Sequence, residues 1–139
     1  GVQTCALPIF LSATERLEQL RYEIALSKAN EAINQSESQR FEAITTWQNE
    51  TFPDDVLWHY LIKLVEEVSE LQSAIHEFGL RDNAYNEIAD IMIVMYGIAE
   101  KMGMSHPDLM QAVQDKFEYN KTRAWTKVNG TWKGSKPNW

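Results

Sequence analysis

The sequence is poor in the residues that cross-link or interrupt a chain. It has a single cysteine, Cys5, which excludes an internal disulfide framework and a zinc site built from several cysteines. Six glycines and four prolines in 139 residues are too few for a collagen-like or linker-like chain. No apolar run is long enough for a membrane-spanning helix. With 44% apolar and 11% aromatic residues, the chain is expected to form one domain with a hydrophobic core.

Basic residues are also scarce, and they are unevenly placed. Thirteen Lys and Arg face 20 Asp and Glu, a net charge of −7, so the whole chain is not expected to be a general nucleic-acid binder. Residues 116–139 nevertheless hold six basic residues and one acidic residue. An acidic body with a basic end suits a protein that holds a metal ion and a polyphosphate, but a solvated basic tail would give the same pattern.

Residues 1–9 are predicted to be a non-native or disordered N-terminus. They resemble a translated adaptor sequence, and we exclude them from the fold argument. The first basic residue is Arg16, so the basic start of a signal peptide is missing. We therefore expect a cytoplasmic location.

Helical periodicity dominates the remaining sequence. Ser12 and Glu15 form a capping box that predicts a helix to about residue 34, and Ser36 predicts the start of a second helix. Ser105 and Asp108 open the last helix in the same way. Between them, two further helices have apolar residues in alternating steps of four and three. These are Leu57, Leu61, Leu64, Val68, Leu71 and Ile75, followed by Ile88, Ile91, Met95, Ile98 and Met102.

The end of the chain has a different pattern. Asn129-Gly130 lies between β-prone residues and predicts a short hairpin. Its tryptophans could mark a subunit contact or a tail folded back on its own bundle. The sequence therefore predicts an all-α protein, an antiparallel helix bundle with a C-terminal hairpin or extended tail. We expect an extra N-terminal helix at residues 10–35, the main helical domain at 36–124 and the tail at 125–139.

Two acidic pairs lie beside the apolar seams. Glu67 and Glu70 are three residues apart, so both side chains lie on one side of a helix. Glu87 and Asp90 repeat this spacing on the next helix. The 16 residues between the pairs are enough to end one helix and begin an antiparallel partner. We therefore expect the two pairs to face each other.

Four facing carboxylates repel one another unless a cation compensates or some are protonated. All-oxygen ligation favours Mg²⁺ or Mn²⁺, and no histidine lies three residues after a Glu or Asp, which disfavours a di-iron site. The competing interpretation is two solvated acidic faces paired with lysines. Lys63 and Lys101 are the only lysines on these two helices, so the matched pairs favour metal binding.

The last helix carries a basic stripe, which we define as Lys116, Asn120 and Arg123. These positions, i, i+4 and i+7, lie on one side of a helix. Two cations and an amide can grip phosphate oxygens. An ordinary solvated helix face would have the same composition, and the stripe alone favours that interpretation.

Taken together, these motifs resemble those of the all-α nucleoside triphosphate pyrophosphohydrolases, the MazG and dCTP pyrophosphatase superfamily. The resemblance covers residues 41–125. The family pattern, Glu-x-x-Glu, a variable gap and Glu-x-x-Asp, is matched by the two acidic pairs. The basic stripe resembles the family's terminal Lys-x-x-x-Asn-x-x-Arg. The segment from Trp47 to Pro53 is similar to the helix and loop that lie near the base of the nucleotide in the family. Three blocks in the family order make the resemblance specific.

The resemblance implies a MazG-like bundle that hydrolyses (deoxy)nucleoside triphosphates between the α and β phosphates, for nucleotide-pool control or house-cleaning. It implies Mg²⁺, with Mn²⁺ as a substitute, and phosphate binding by the basic stripe. It also implies a homodimer or homotetramer with sites completed by a neighbouring subunit, and neither membrane nor nucleic acid as main partner. The implied catalytic and metal-binding residues are Glu67, Glu70, Glu87 and Asp90.

Several roles stay open at this point. Trp47 could stack on the base or pack in the core, and Glu66 could orient the water or face solvent. A catalytically idle bundle that binds nucleotides or assembles other proteins could keep the same acidic pairs. A nucleic-acid adaptor using the basic tail is a weaker alternative, because the body is acidic. No residue selects among dUTP, dCTP, a purine nucleotide or a damaged one.

Overall fold

The computed structural model describes residues 11–78 and 82–136, which form four α-helices followed by a two-stranded antiparallel sheet. The helices are α1 (Ala13–Thr51), α2 (Leu57–Phe78), α3 (Asp82–Lys101) and α4 (His106–Lys121), and the strands are β1 (Trp125–Val128) and β2 (Thr131–Gly134). The predicted all-α class with a C-terminal hairpin is therefore confirmed. Of the described helices, none is long and apolar enough to cross a bilayer. The prediction for residues 1–9 lies outside the described residues.

α1 is one continuous helix of 39 residues, so the predicted second start at Ser36 is wrong. The physical reason is that neither Gly nor Pro occurs between residues 9 and 52, and nothing forces the backbone out of helical geometry at Ser36. The predicted capping box at the helix start is confirmed. The Ser12 backbone N–H donates to Glu15 Oε2 at 2.7 Å, and the Glu15 N–H donates to Ser12 Oγ at 3.2 Å.

By its internal contacts the chain divides between residues 37 and 38. In the first unit, residues 12–37 are exposed along the whole helix. The second unit holds the remainder of α1, helices α2 to α4 and the hairpin. Its buried apolar side chains are Phe41, Tyr60, Ala74, Ala84, Val94, Ile98 and Ala99.

α2 and α3 form an antiparallel pair, because the start of α2 packs against the end of α3. Tyr60 clusters with Val94 and Ile98, and Leu57 and Leu64 pack against this cluster. The single apolar seam predicted for α2 is in fact two. One seam, with Tyr60 and Leu64, lies against α3, whereas the residues of the other are exposed. The exposed seam of α2 is Leu61, Val65, Val68 and Ile75.

The turns around α4 follow their sequence signals. Gly103 has φ +79°, which a glycine adopts without strain, and the backbone N–H of Met104 donates to the carbonyl of Ala99 at 2.9 Å. Ser105 and Asp108 form the predicted capping box. In the hairpin, Asn129 and Gly130 both have positive φ, as a two-residue turn between right-twisted strands requires.

Candidate functional site

Three of the four predicted carboxylates come together between α2 and α3. Glu67, Glu70 and Glu87 each offer an oxygen, and these oxygens lie within 4.8 Å of one another. We call these three residues the acidic cluster. The helical spacing of Glu67 and Glu70 aims both at the partner helix, and the antiparallel packing brings Glu87 alongside them. Glu67 is 5% exposed, Glu87 is half-buried and Glu70 is exposed, so the cluster runs from the helix interface to the surface.

The charges of the cluster oppose one another. Desolvation raises the pKa of Glu87 above the ordinary glutamate value, and the negative charges of Glu70, Asp90 and Glu67 raise it further. Lys63 Nζ lies 2.6 Å from Glu67 Oε1. The hydrogen bond to Glu67 raises the pKa of Lys63, so the lysine stays charged. Within residues 11–78 and 82–136, Lys63 is the one cation paired with the acidic cluster. The cluster therefore keeps an excess of negative charge.

A hard divalent cation fits this donor set. Such ions take carboxylate oxygens as ligands, and three residues here each offer one oxygen within 4.8 Å of the other two. The added positive charge would relieve the repulsion that raises the pKa of Glu87. The acidic cluster can therefore hold a divalent metal ion.

Asp90, the fourth predicted ligand, is not among the residues whose oxygens lie within 4.8 Å of one another, although its charge acts on Glu87. It follows Glu87 by one helical turn and lines a cleft together with Glu66 and Glu67. Glu66 Oε2 also lies 3.5 Å from Lys63 Nζ, and its side chain is 56% exposed. The structure therefore gives Asp90 a position at the border between the cluster and the cleft.

The cleft has a volume of about 420 Å³, and its walls come from α1, α2 and α3. We call it the Trp47 cleft. Trp47 packs edge-on against Phe52, with ring centroids 5.7 Å apart, and half of its surface is exposed. Trp47 is therefore a wall residue of the cleft rather than part of the core. The lining residues are Trp47, Gln48, Phe52, Asp55, His59, Tyr60, Ile62, Lys63, Glu66, Glu67, Asp90, Ile93 and Val94.

Sequence reasoning missed the polar residues of this cleft. Gln48 is 4% exposed, and its Nε2 donates to the Ile93 carbonyl at 3.0 Å. His59 Nδ1 lies 3.0 Å from Asp55 Oδ1. One signal for Gln48 existed: with Phe41 and Thr45 it forms a step of four and three on α1, and all three are buried.

The basic stripe is not brought to the acidic cluster. Lys116 and Asn120 line a groove on α4 with Ala112, Val113 and Phe117, and this groove shares none of its residues with the Trp47 cleft. Arg123 lies two residues beyond the end of α4, so the prediction that it shares a helix with Lys116 and Asn120 is wrong. The helix ends at Lys121 with Thr122 as its cap, and Arg123 Nε donates to the Ser135 carbonyl at 2.9 Å. In the described part of one chain, the predicted phosphate-binding residues and predicted metal ligands therefore occupy two separate places.

Known proteins are similar to this chain in sequence and in fold. The sequence model of the dATP/dGTP pyrophosphohydrolase family matches residues 40–136. A dATP/dGTP diphosphohydrolase of Salmonella phage PMBT28 is 31% identical over 85 residues. The match covers 61% of this chain and 26% of that protein, so the chain spans about a quarter of its relative's length.

A solved structure shows the same likeness. It is the MazG-like pyrophosphohydrolase of cyanophage S-2L, bound to dGDP and three catalytic Mn²⁺ ions per active site. It superposes with a TM-score of 0.56 at 25% identity, over 71% of this chain and 97% of that one. The predicted MazG-like fold is thereby confirmed. The chain belongs to the dATP/dGTP pyrophosphohydrolase family.

Proposed function

We propose that the chain hydrolyses dATP or dGTP between the α and β phosphates, releasing the deoxynucleoside monophosphate and pyrophosphate. The observation that carries this proposal is the acidic cluster at the edge of the Trp47 cleft. A nucleotide needs both features. Its base requires an enclosed apolar surface, which the cleft offers. Its phosphates require positive charge, which a metal ion held by the acidic cluster would supply. The family and both relatives support a purine deoxynucleotide as substrate. The reaction consumes a DNA precursor, which suits nucleotide-pool control or house-cleaning.

The four predicted acidic residues are proposed as the ligands of Mg²⁺, with Mn²⁺ as a substitute. Glu67, Glu70 and Glu87 supply converging oxygens, and Asp90 supplies a fourth carboxylate beside the cleft. When bound, the metal offsets phosphate charge and lowers the pKa of an attacking water. Lys63 holds Glu67 in place through the 2.6 Å ion pair, so the buried ligand keeps its orientation.

Trp47 is proposed to bind the base. Its ring forms one wall of a cleft of about 420 Å³, a size within the usual range for small-ligand pockets. Stacking on an exposed tryptophan ring favours a flat aromatic base and excludes water from it. The base would then lie in the cleft with its phosphates directed toward Glu67 and Asp90.

Lys116, Asn120 and Arg123 are proposed to bind the outer phosphates and neutralise the leaving pyrophosphate. Because the basic stripe and the acidic cluster are separate in one chain, we propose that the stripe reaches the cluster of a second copy. This arrangement would make the site a product of assembly into a homodimer or homotetramer.

The exposed apolar seams support such an assembly. On α2, Val65 is 70% exposed and lies in the seam opposite the one that packs on α3. The outer side of α3 is similarly apolar, with Ile88, Met92 and Met95 exposed. A surface of this kind typically marks a protein contact. Light scattering of the parent should give a mass two or four times that of one chain. The Val65→Lys variant should give a lower mass, because a charged side chain is costly to bury in an apolar contact. A monomeric parent would contradict the assembly.

Product analysis tests the reaction. The protein is incubated with dATP, dGTP, dCTP or dUTP and Mg²⁺, and pyrophosphate is distinguished from orthophosphate. We expect pyrophosphate with the purine nucleotides and no turnover in excess EDTA. Orthophosphate with a diphosphate product would contradict α–β cleavage, and full activity in EDTA would contradict metal dependence. Nucleotide binding without turnover would favour the catalytically idle bundle.

A further inference from the structure

Arg123 is held on several sides by the end of α4 and the hairpin. Its Nε donates to the Ser135 carbonyl at 2.9 Å, and its Nη1 lies 3.4 Å from Asn120 Oδ1. The guanidinium carbon lies 5.6 Å from the centroid of the Tyr119 ring and 5.1 Å from that of Trp125. Arginine stacks on aromatic faces in this way without giving up its hydrogen-bonding edge.

Gly134 provides the space for this guanidinium. A Cβ at residue 134 would lie 2.6 Å from both Nε and Nη2 of Arg123 and would also overlap the guanidinium carbon. The described glycines with positive φ are Gly103 and Gly130, so the backbone at residue 134 does not itself require glycine. The close approach of the arginine is therefore the constraint on this position.

The hairpin is itself fixed to the end of α4. Its register pairs Trp125 with Gly134, and the Ser135 backbone N–H donates to the Ala124 carbonyl at 2.8 Å. The Trp125 indole N–H donates to the Asn120 carbonyl at 3.0 Å. The strand end that carries Gly134 and Ser135 consequently has a fixed position relative to Arg123.

We propose that the C-terminal hairpin is a positioning element for Arg123, with Gly134 as the positioning residue. This inference rests on the proposed phosphate-binding role of Arg123. Nε is engaged by Ser135 and Nη1 by Asn120, so the guanidinium is held in one orientation. The N–H groups that these two bonds leave over can donate to phosphate oxygens. Holding the long side chain in one rotamer before binding reduces the conformational entropy that binding would otherwise cost.

The test measures binding of α,β-methylene-dATP and dAMP to four variants. Gly134→Ala inserts the colliding methyl group, Arg123→Ala removes the guanidinium, and the third variant combines both. Thr131→Ala is the control, since it changes an exposed residue of the same strand whose side chain lies on the opposite face. Gly134→Ala should bind the analogue about tenfold more weakly, the value of roughly one charge-assisted hydrogen bond, and dAMP as well as the parent does. Thr131→Ala should match the parent.

The double variant separates positioning from a general effect on the fold. If Gly134 acts through Arg123, adding Gly134→Ala to Arg123→Ala causes no further loss of analogue binding. An additional tenfold loss, or parental binding by Gly134→Ala, would overturn the positioning role. A parent that neither binds the analogue nor releases pyrophosphate from dATP would instead overturn the proposed function, and this inference with it.

Discussion

At the scale of single residues, Glu70 offers the sharpest test of the acidic cluster. It is the exposed member, so Glu70→Gln removes one repelling charge without opening the helix interface. Without metal, we expect the variant to be at least as stable as the parent. With millimolar Mg²⁺ it should lose most of the metal-dependent rise in melting temperature, since a ligand stabilises only the state that it binds. Turnover should fall by orders of magnitude.

Thermal melts in EDTA and in Mg²⁺ measure both effects. Glu42→Gln is the matched control, because it removes an exposed carboxylate that is outside the cluster. Substitution of a solvated surface glutamate should change the free energy of unfolding by no more than about 0.5 kcal/mol, with or without metal. Equal Mg²⁺ shifts in the parent and in Glu70→Gln would exclude Glu70 as a ligand.

Gly97 gives a second prediction at this scale. In most helices Gly→Ala stabilises, but a Cβ here would overlap the Tyr60 ring and lie 2.9 Å from Gln48 Oε1. We expect Gly97→Ala to lower the free energy of unfolding by about 1–3 kcal/mol, the usual cost of overpacking. Urea unfolding measures it, and Tyr60→Leu in the same variant should restore part of the loss. An increase in stability would show that the two neighbours move aside.

Individual residues were predictable where their chemistry follows helical spacing. Glu67, Glu70 and Glu87 converge because three-residue steps on two antiparallel helices aim them at one place. Gln48 was missed because a buried amide has no hydrophobic signal, and its burial depends on the Ile93 carbonyl of another helix. Asp90 lines the Trp47 cleft, and three-residue spacing within α3 did not predict this because it contains no information on the cleft.

At the scale of elements, helix boundaries followed their capping residues. The prediction that failed, a break at Ser36, relied on a capping signal with no glycine or proline before it. The two seams of α2 show a related effect. Apolar steps of three and four identify a helix, but they do not tell which of two apolar sides faces α3 and which is exposed.

The capping box of α4 predicts a pH dependence. Hydrogen bonds from the Ser105 side chain and backbone lower the pKa of Asp108. A carboxyl whose pKa is lower in the folded state stabilises the protein above its unfolded pKa, about 3.9, and this contribution is lost as the pH falls through the folded value. The difference in melting temperature between the parent and Asp108→Asn should therefore be largest near neutral pH and shrink in acid. Ser105→Ala should also reduce the pH-dependent part of the stability, because it removes one of the hydrogen bonds to Asp108. A difference in melting temperature between the parent and Asp108→Asn that stays constant from pH 7 to pH 3 would contradict this prediction.

At the scale of the whole molecule, the proposed metal ligands and the proposed phosphate-binding residues occupy separate places in one chain. The acidic cluster and the Trp47 cleft lie on α1 to α3. Lys116 and Asn120 lie on α4, and Arg123 follows that helix and donates to Ser135 after the hairpin. Both motifs could be identified from the sequence, but their separation could not, because periodicity within a helix contains no distance between helices. The proposed site shared between copies would reconcile the motifs with this separation.

Subunit mixing tests the shared site directly. Glu70→Gln removes a proposed metal ligand and Arg123→Ala a proposed phosphate ligand, so each variant alone should hydrolyse dATP poorly at low substrate concentration. If every site takes Glu70 from one copy and Arg123 from the other, a mixed dimer contains one site with both native residues. Unfolding and refolding the two variants together in equal amounts should then restore about one quarter of the parental rate, since random pairing makes half of the dimers mixed and each has one native site out of two. The control is a mixture of separately refolded variants assayed at once. A co-refolded rate equal to that control would mean that both residues act in the same copy, and that α4 serves the acidic cluster of its own chain.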